Sequence, residues 1–157
     1  MSVRACDLGR GLFADRAYQA GDEILRFEGR TVPGHAVASM GDDQCYLIQI
    51  GRDLYVEPAE PGRYTNHSCA PNAAIKDDYR LVALSDIRTD EQICFDYSTT
   101  MSENNWTMEC RCGAPECRGV VRDFGELPSE LQHRYLELRA VQSFIAEEAR
   151  ALQKKIA

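Results

Sequence analysis

Cys110, Cys112 and Cys117 stand in a C-x-C-x4-C pattern inside "CRCGAPECRG". Close thiolates separated by Gly and Pro turns can converge on one ion, and Zn2+ takes four ligands in a tetrahedron with sulfur at about 2.3 Å. Three local thiols leave one ligand to be found among Cys6, Cys45, Cys69, Cys94 and the three histidines. Cys45 and Cys94 are expected inside apolar strands, where a free thiol behaves as a small hydrophobe. Cys69, in the turn-rich "RYTNHSCAPN" (63–72), is therefore the expected fourth ligand. A closed four-thiolate site has no open position, so its role would be structural. Arg111 and Arg118 are placed to offset its charge.

The same stretch sets Ser68 and Cys69 beside His67, which invites a hydrolase reading. That reading fails physically. Neighbouring side chains on an extended segment diverge, so a base adjacent in sequence rarely meets its nucleophile in space. A Cys69 that holds zinc is in any case no nucleophile.

The elements that must carry these residues are mostly strands. Residues 1–30 alternate short apolar runs with Gly and Asp punctuation, which reads as strands and turns. Residues 31–43 look like a loop or short helix. "CYLIQI-GRD-LYVEP" and "NAAIK-DD-YRLVALSDI" read as hairpins, and "EQICFDY" as a further strand. From Pro128 the period changes: Leu131, Tyr135, Leu138, Ile145, Ala149, Leu152 and Ile156 follow a helical spacing. One helix over 128–156 would be roughly 43 Å long. Such a length predicts either a break near Gln142–Ser143 or packing on a second copy of the chain, a homodimer through the arm.

With 157 residues and a formal charge of −7, the chain is expected to be one acidic globular unit. Direct nucleic-acid binding and anionic membranes are disfavoured on charge, and a basic protein or peptide is the better partner. Seven cysteines without a secretory apolar segment argue for metal and buried thiols over disulfides, and for an intracellular location.

Four segments in this order, "GRGLFA" (9–14), "RYTNHSCAPN" (63–72), "ICFDY" (93–97) and "CRCGAPEC" (110–117), resemble the SET-domain protein-lysine methyltransferases with a post-SET zinc motif. The resemblance spans roughly residues 2–119 and leaves the helical arm outside. It implies a mainly β (α+β) fold: short sheets around a pseudoknot that places NHSC beside FDY, a four-cysteine zinc segment, and a C-terminal helical arm. The implied divisions are 1–104, 105–121 and 122–157. It also implies S-adenosylmethionine as methyl donor, one structural zinc ion on Cys69, Cys110, Cys112 and Cys117, and transfer to the ε-amine of a protein lysine, with a histone or histone-like substrate favoured. Gly9, Arg10 and Gly11 match the turn that approaches the methionine part. Asn66 and His67 match residues that hold the cofactor, and Trp106 an aromatic that covers its adenine. Tyr97 matches the tyrosine where the lysine channel meets the methyl group, and Tyr46 a second channel tyrosine. Phe95 occupies the position of the family's Phe/Tyr switch, and its missing hydroxyl implies di- or trimethylation.

This sequence departs from the family at "RFEGR" (26–30), in a very short 31–43 insert, and in lacking an earlier zinc cluster. The alternative is a SET-fold module without turnover that binds a basic peptide or partner protein. His35 and His133 are expected at the surface, and Asp77–Asp78 in a solvated turn.

Overall fold

The computed structural model describes residues 1–104 and 106–156, with side chains described up to Leu152. Asn105, expected to open the zinc segment, and the side chain of Ile156 lie outside the described residues.

Strands β1 (Ser2–Cys6) and β2 (Gly9–Phe13) form an antiparallel hairpin that turns at Asp7–Leu8, so Gly9, Arg10 and Gly11, expected as the turn itself, open β2 and pair with Cys6, Ala5 and Arg4. Strands β3 (Glu23–Arg26) and β4 (Gly29–Pro33) follow, then the single turn α1 (Gly34–Val37) and a 3-10 segment, Ala38–Tyr46. Both expected hairpins are present: β5 (Ile48–Gly51) with β6 (Leu54–Pro58), and, after β7 (Asn66–His67), β8 (Ala73–Lys76) with β9 (Arg80–Ala83). The remaining elements are β10 (Cys94–Phe95), β11 (Met108–Glu109), β12 (Val120–Val121), α2 (Ser129–Glu137) and α3 (Ser143–Ile156). Two three-stranded sheets, β3-β9-β8 and β4-β6-β5, stand beside three two-stranded pairs.

Strand alternation explains how β8 joins two cores. Ala73 and Ile75 face a central core with Leu12, Leu81, Ile87, Ile93 and Phe95, while Ala74 between them faces Phe124, Tyr135, Val141 and Ile145 of the arm. The arm therefore packs on the chain's own sheet.

It does so by breaking. Leu138–Gln142 separate α2 from α3, and Arg139 adopts φ +50°, the left-handed conformation that ends a helix. The N–H of Ala140 returns to the carbonyl of Tyr135 at 2.9 Å, closing that end. Asp78 then starts α3: its Oδ1 accepts from the Ser143 N–H at 2.6 Å, so the expected solvated turn also anchors the arm. The break removes the length argument for a second copy. It also places Leu138 and Leu152 outside the buried face, at 39% and 61% exposure, against the continuous helical spacing.

Two strand expectations are corrected. Tyr46 and Cys45 belong to the 3-10 segment, and the strand begins only at Ile48; Cys45 is exposed. The N–H of Leu47 bonding back to the Gln44 carbonyl at 3.2 Å keeps the chain turned through these residues. "EQICFDY" yields only the two-residue β10, because Asp96 ends the strand by capping a 3-10 turn over Tyr97–Thr100.

β10 runs parallel to β7, pairing Cys94 with Asn66 and Phe95 with His67. This brings NHSC beside FDY, as the resemblance implies. Among the described residues no helix is long and apolar enough to cross a membrane.

Candidate functional site

Segment 64–69 touches three clusters in turn. At the first, Asn66 Nδ2 donates to the Arg10 carbonyl at 2.9 Å, tying β7 to the Gly9–Arg10–Gly11 start of β2, just past the hairpin turn. Gly9 holds φ +95°, a conformation that favours glycine. A Cβ on Gly11 would lie 2.5 Å from Gln92 Nε2 and 3.1 Å from Asn66 Nδ2, so only glycine fits without displacing these amides. Among the described residues no donor reaches Asn66 Oδ1, which leaves an acceptor beside the turn.

Arg10 leads from this segment to the second cluster. Its guanidinium lies 4.0 Å over the Tyr64 ring and donates to the Tyr64 hydroxyl at 2.6 Å. Tyr64 meets Tyr46 edge-on at 6.2 Å, and Arg63 covers the other ring at 4.0 Å. Tyr46 then lines a cavity of about 360 Å³ together with Thr65, Phe95, Tyr97 and Trp106.

Tyr97 is the polar fixture of that cavity. Its hydroxyl donates to the Thr65 carbonyl at 3.0 Å, and burial raises its phenol well above the ordinary tyrosine range. It is therefore a neutral donor at any physiological pH. Phe95, 3% exposed, packs 4.9 Å from the Tyr97 ring and 6.2 Å from Phe27. Glu103 and Tyr55, hydrogen-bonded to each other, supply an acidic wall.

The third cluster holds the sulfur ligands. A ring nitrogen of His67 and the Sγ atoms of Cys69, Cys110 and Cys112 all lie within 4.8 Å of one another. Cys117 packs beside them. Cys69 Sγ and Cys110 Sγ are 3.7 Å apart, close to the edge of about 3.8 Å that a tetrahedron with 2.3 Å metal–sulfur bonds requires. Main-chain N–H groups aim at three sulfurs: Cys69 at Cys112, Arg118 at Cys69 and Gly119 at Cys117, at 3.4–3.5 Å. Burial pushes the Cys112 thiol up, but N–H groups of Cys69 and Ala114 and the neighbouring thiols outweigh it and bring it to about 6. Burial raises the Cys69 and Cys110 thiols instead, so the thiolate tendency rests on Cys112, while the four sulfurs are donors of the kind a zinc ion takes.

His67 is placed differently from the role its motif implies. Nδ1 accepts the Tyr97 N–H at 3.2 Å and Nε2 lies 3.4 Å from Cys69 Sγ, with the residue 4% exposed. Both ring nitrogens are committed inside the protein, so its side chain faces the sulfur cluster and Tyr97. Burial lowers its pKa to about 4, opposed by Asp96 and assisted by Arg118.

The arginines follow expectation only in part: Arg118 favours the Cys69 thiolate through its N–H and its charge, yet both guanidiniums have carboxylate partners. Arg111 pairs with exposed Glu109 at 2.7 Å, and the Arg118 guanidinium pairs with buried Asp96 at 2.7 Å. A buried carboxylate attracts a planar guanidinium more strongly than dispersed thiolate charge does. Asp96, Thr65 and Tyr64 carry the site's contacts without having been assigned a role from the sequence, and Arg118 adds one, to Asp96, beyond the role expected of it. The position of Asp96 inside "FDY" and of Tyr64 and Thr65 inside the 63–72 stretch offered the signal.

This arrangement of short sheets, a parallel two-strand crossing and a cysteine cluster defines a class. A family model described as SET domain matches residues 9–98, more than half of the sequence, and the chain belongs to the SET-domain family. It is 38% identical over 82 residues to the Variant-silencing SET domain-containing protein of Plasmodium falciparum, covering 46% of this chain and 3% of that one. It is 30% identical over 130 residues to the Histone-lysine N-methyltransferase, H3 lysine-4 specific, of Schizosaccharomyces pombe, covering 71% and 14%. Identity to the Histone-lysine N-methyltransferase ASHH3 of Arabidopsis thaliana is 28% over 139 residues, covering 78% and 37%. The chain thus spans well under half the length of these relatives. A crystal structure of Arabidopsis thaliana SUVH6 in complex with SAM shares the fold, with TM-score 0.64 at 20% identity over 76% of this chain and 32% of that one.

Proposed function

We propose that this chain transfers a methyl group from S-adenosylmethionine to the ε-amine of lysine in a basic protein, a histone or histone-like protein foremost. The observation that carries the reading is the continuous line from the Gly9–Gly11 segment through Asn66 and Thr65 to Tyr97 in its cavity. The family membership and the histone-lysine methyltransferase relatives support it. An acidic chain with Glu103 on the cavity wall fits a basic substrate.

The methyl donor supplies an electrophilic sulfonium methyl when bound. The Gly9–Arg10–Gly11 segment and the free Asn66 oxygen suit an ammonium and a close main-chain approach, and Trp106 and Tyr46 suit a flat aromatic group or a methylene chain. Tyr46, Phe95 and Tyr97 exclude water from an aliphatic lysine stem. A lysine amine, ordinarily near 10.4, must lose its proton before it can attack, and desolvation in this cavity favours the neutral form. Tyr97, held by Thr65, orients the amine. Because no covalent enzyme intermediate is needed, positioning supplies most of the acceleration.

Phe95 brings no hydroxyl of its own to the cavity beside Tyr97, and the product read from this is di- or trimethyl-lysine. Cys69, Cys110, Cys112 and Cys117 would hold one structural zinc ion, with His67 bracing Cys69. In this reading 1–104 is the catalytic unit, 105–121 the zinc segment and 122–157 the arm.

The test is transfer of radiolabelled methyl groups to a histone mixture and to a cell lysate, with Tyr97→Phe as control. Labelled lysine that disappears in the variant is expected. Measured cofactor binding with no transfer to any protein would replace the enzyme with a binding module.

A further inference from the structure

The C-terminal arm lies beyond the matched residues 9–98, yet it reaches the turn that carries Tyr97. Asp96 precedes Tyr97 directly, and its carboxylate is fully buried. Oδ1 accepts from Arg118 Nη2 at 2.7 Å and from the Ser98 N–H at 3.1 Å, while Oδ2 accepts from the Tyr135 hydroxyl at 2.9 Å. Three donors from the zinc-side segment, the turn itself and α2 thus converge on one carboxylate. A second bond from the arm enters the same turn, from the Gln142 N–H to the Thr99 carbonyl at 3.1 Å.

A buried carboxylate oxygen without a donor is costly, so removing the Tyr135 hydroxyl forces Asp96 to rotate or to admit water. Rotation of Asp96 would disturb the cap that its Oδ1 places on the Ser98 N–H at the start of the Tyr97–Thr100 turn. Arg118 still neutralises the charge, so the loss acts on orientation more than on net stability. Catalytic groups must be held within about 0.5 Å of productive geometry, and a misplacement of about 1 Å costs on the order of 10²-fold.

We propose that Tyr135 is a positioning residue for Tyr97, acting through Asp96, which makes the C-terminal arm part of the methyl-transfer machinery. The inference rests on the reading of Tyr97 as the residue that orients the amine.

Tyr135→Phe keeps the ring and removes only the hydroxyl; Leu138→Ala, exposed on the same arm, is the control. With a histone mixture as acceptor, Tyr135→Phe should lower kcat about tenfold while the KM for S-adenosylmethionine stays within about twofold. In protein labelled with 13C-tyrosine, the Tyr97 ring resonance, assigned with Tyr97→Phe, should shift in Tyr135→Phe and stay in place in Leu138→Ala. Adding Tyr135→Phe to Asp96→Asn should cost no further activity. An unmoved Tyr97 resonance, or a fall in Tm with kcat unchanged, overturns the proposal. If the wild-type protein transfers no methyl group, the functional reading fails by itself, and the resonance still decides whether the arm sets Tyr97.

Discussion

The main-chain N–H of Tyr97 donates to Nδ1 of His67 at 3.2 Å, and the two rings meet edge-on at 5.3 Å. The opposite nitrogen of the same imidazole lies 3.4 Å from Cys69 Sγ. One buried ring therefore stands between the cavity and the sulfur cluster, and what happens to the cysteines reaches Tyr97 through it.

Loss of Cys69 should accordingly be felt in both places. If the proposed zinc site is filled, Cys69→Ser is expected to lower zinc from one ion per chain toward none and to weaken S-adenosylmethionine binding about tenfold, because the metal would anchor segment 64–69 at that end. Elemental analysis and calorimetry on the same preparation check this. Zinc loss with unchanged cofactor affinity would separate the two sites.

How much of this was legible beforehand depends on whether the signal was local. The cysteine spacing, the turns of the two hairpins and each of the four motifs are local signals, and they reappear, although the strand before the first hairpin turn begins only at Ile48. That α2 already stops before Leu138 was not legible, because Arg139 takes the left-handed position that Gly or Asn usually marks, and the apolar spacing continues through it. The fate of Arg118 was equally hidden. Its charge sits next to Cys117 in sequence, but its partner Asp96 is 22 residues away and is known only from the packing. His67 shows the same limit from the other side: the motif located the residue, and only the parallel β7–β10 pairing shows where its two nitrogens go.

Burial of His67 has a consequence for acid stability. Its pKa falls from 6.5 to about 4 on folding, so the unfolded chain binds the proton first. The stabilising difference is complete above pH 6.5 and is lost as pH falls through about 4; the gap corresponds to about 3 kcal/mol. Urea unfolding at pH 7 and pH 4.5 should show a marked drop in midpoint for the wild type. His67→Gln should start lower and lose less over the same range. Parallel losses in both proteins would assign the acid sensitivity elsewhere.

Gly11→Ala tests the segment next to Asn66. The added Cβ would meet Gln92 Nε2 at 2.5 Å, Asn66 Nδ2 at 3.1 Å and Cys6 Sγ at 3.2 Å. Gln92 can swing away at its far end, but Asn66 is held between Cys6 and the Arg10 carbonyl. The expected result is a stability loss of about 1–2 kcal/mol with a larger proportional loss of S-adenosylmethionine affinity, read by thermal melts and calorimetry. Wild-type affinity in a destabilised variant would move the cofactor away from this segment.

Phe95→Tyr probes the product. Phe95 is 3% exposed and packs between Phe27 and Tyr97, so an added hydroxyl has only the cavity side to enter. A hydroxyl there binds a water molecule, and that water occupies the space a methylated amine needs to turn and accept again. Mass spectrometry of a reacted histone mixture should show the wild type accumulating di- or trimethyl-lysine. The variant should stop mainly at monomethyl-lysine while retaining its first turnover. Because the hydroxyl must find a partner or leave an unsatisfied donor costing about 1–3 kcal/mol, a melt of the variant accompanies the assay. A folded variant with an unchanged product ratio would show that Phe95 does not set the degree of methylation.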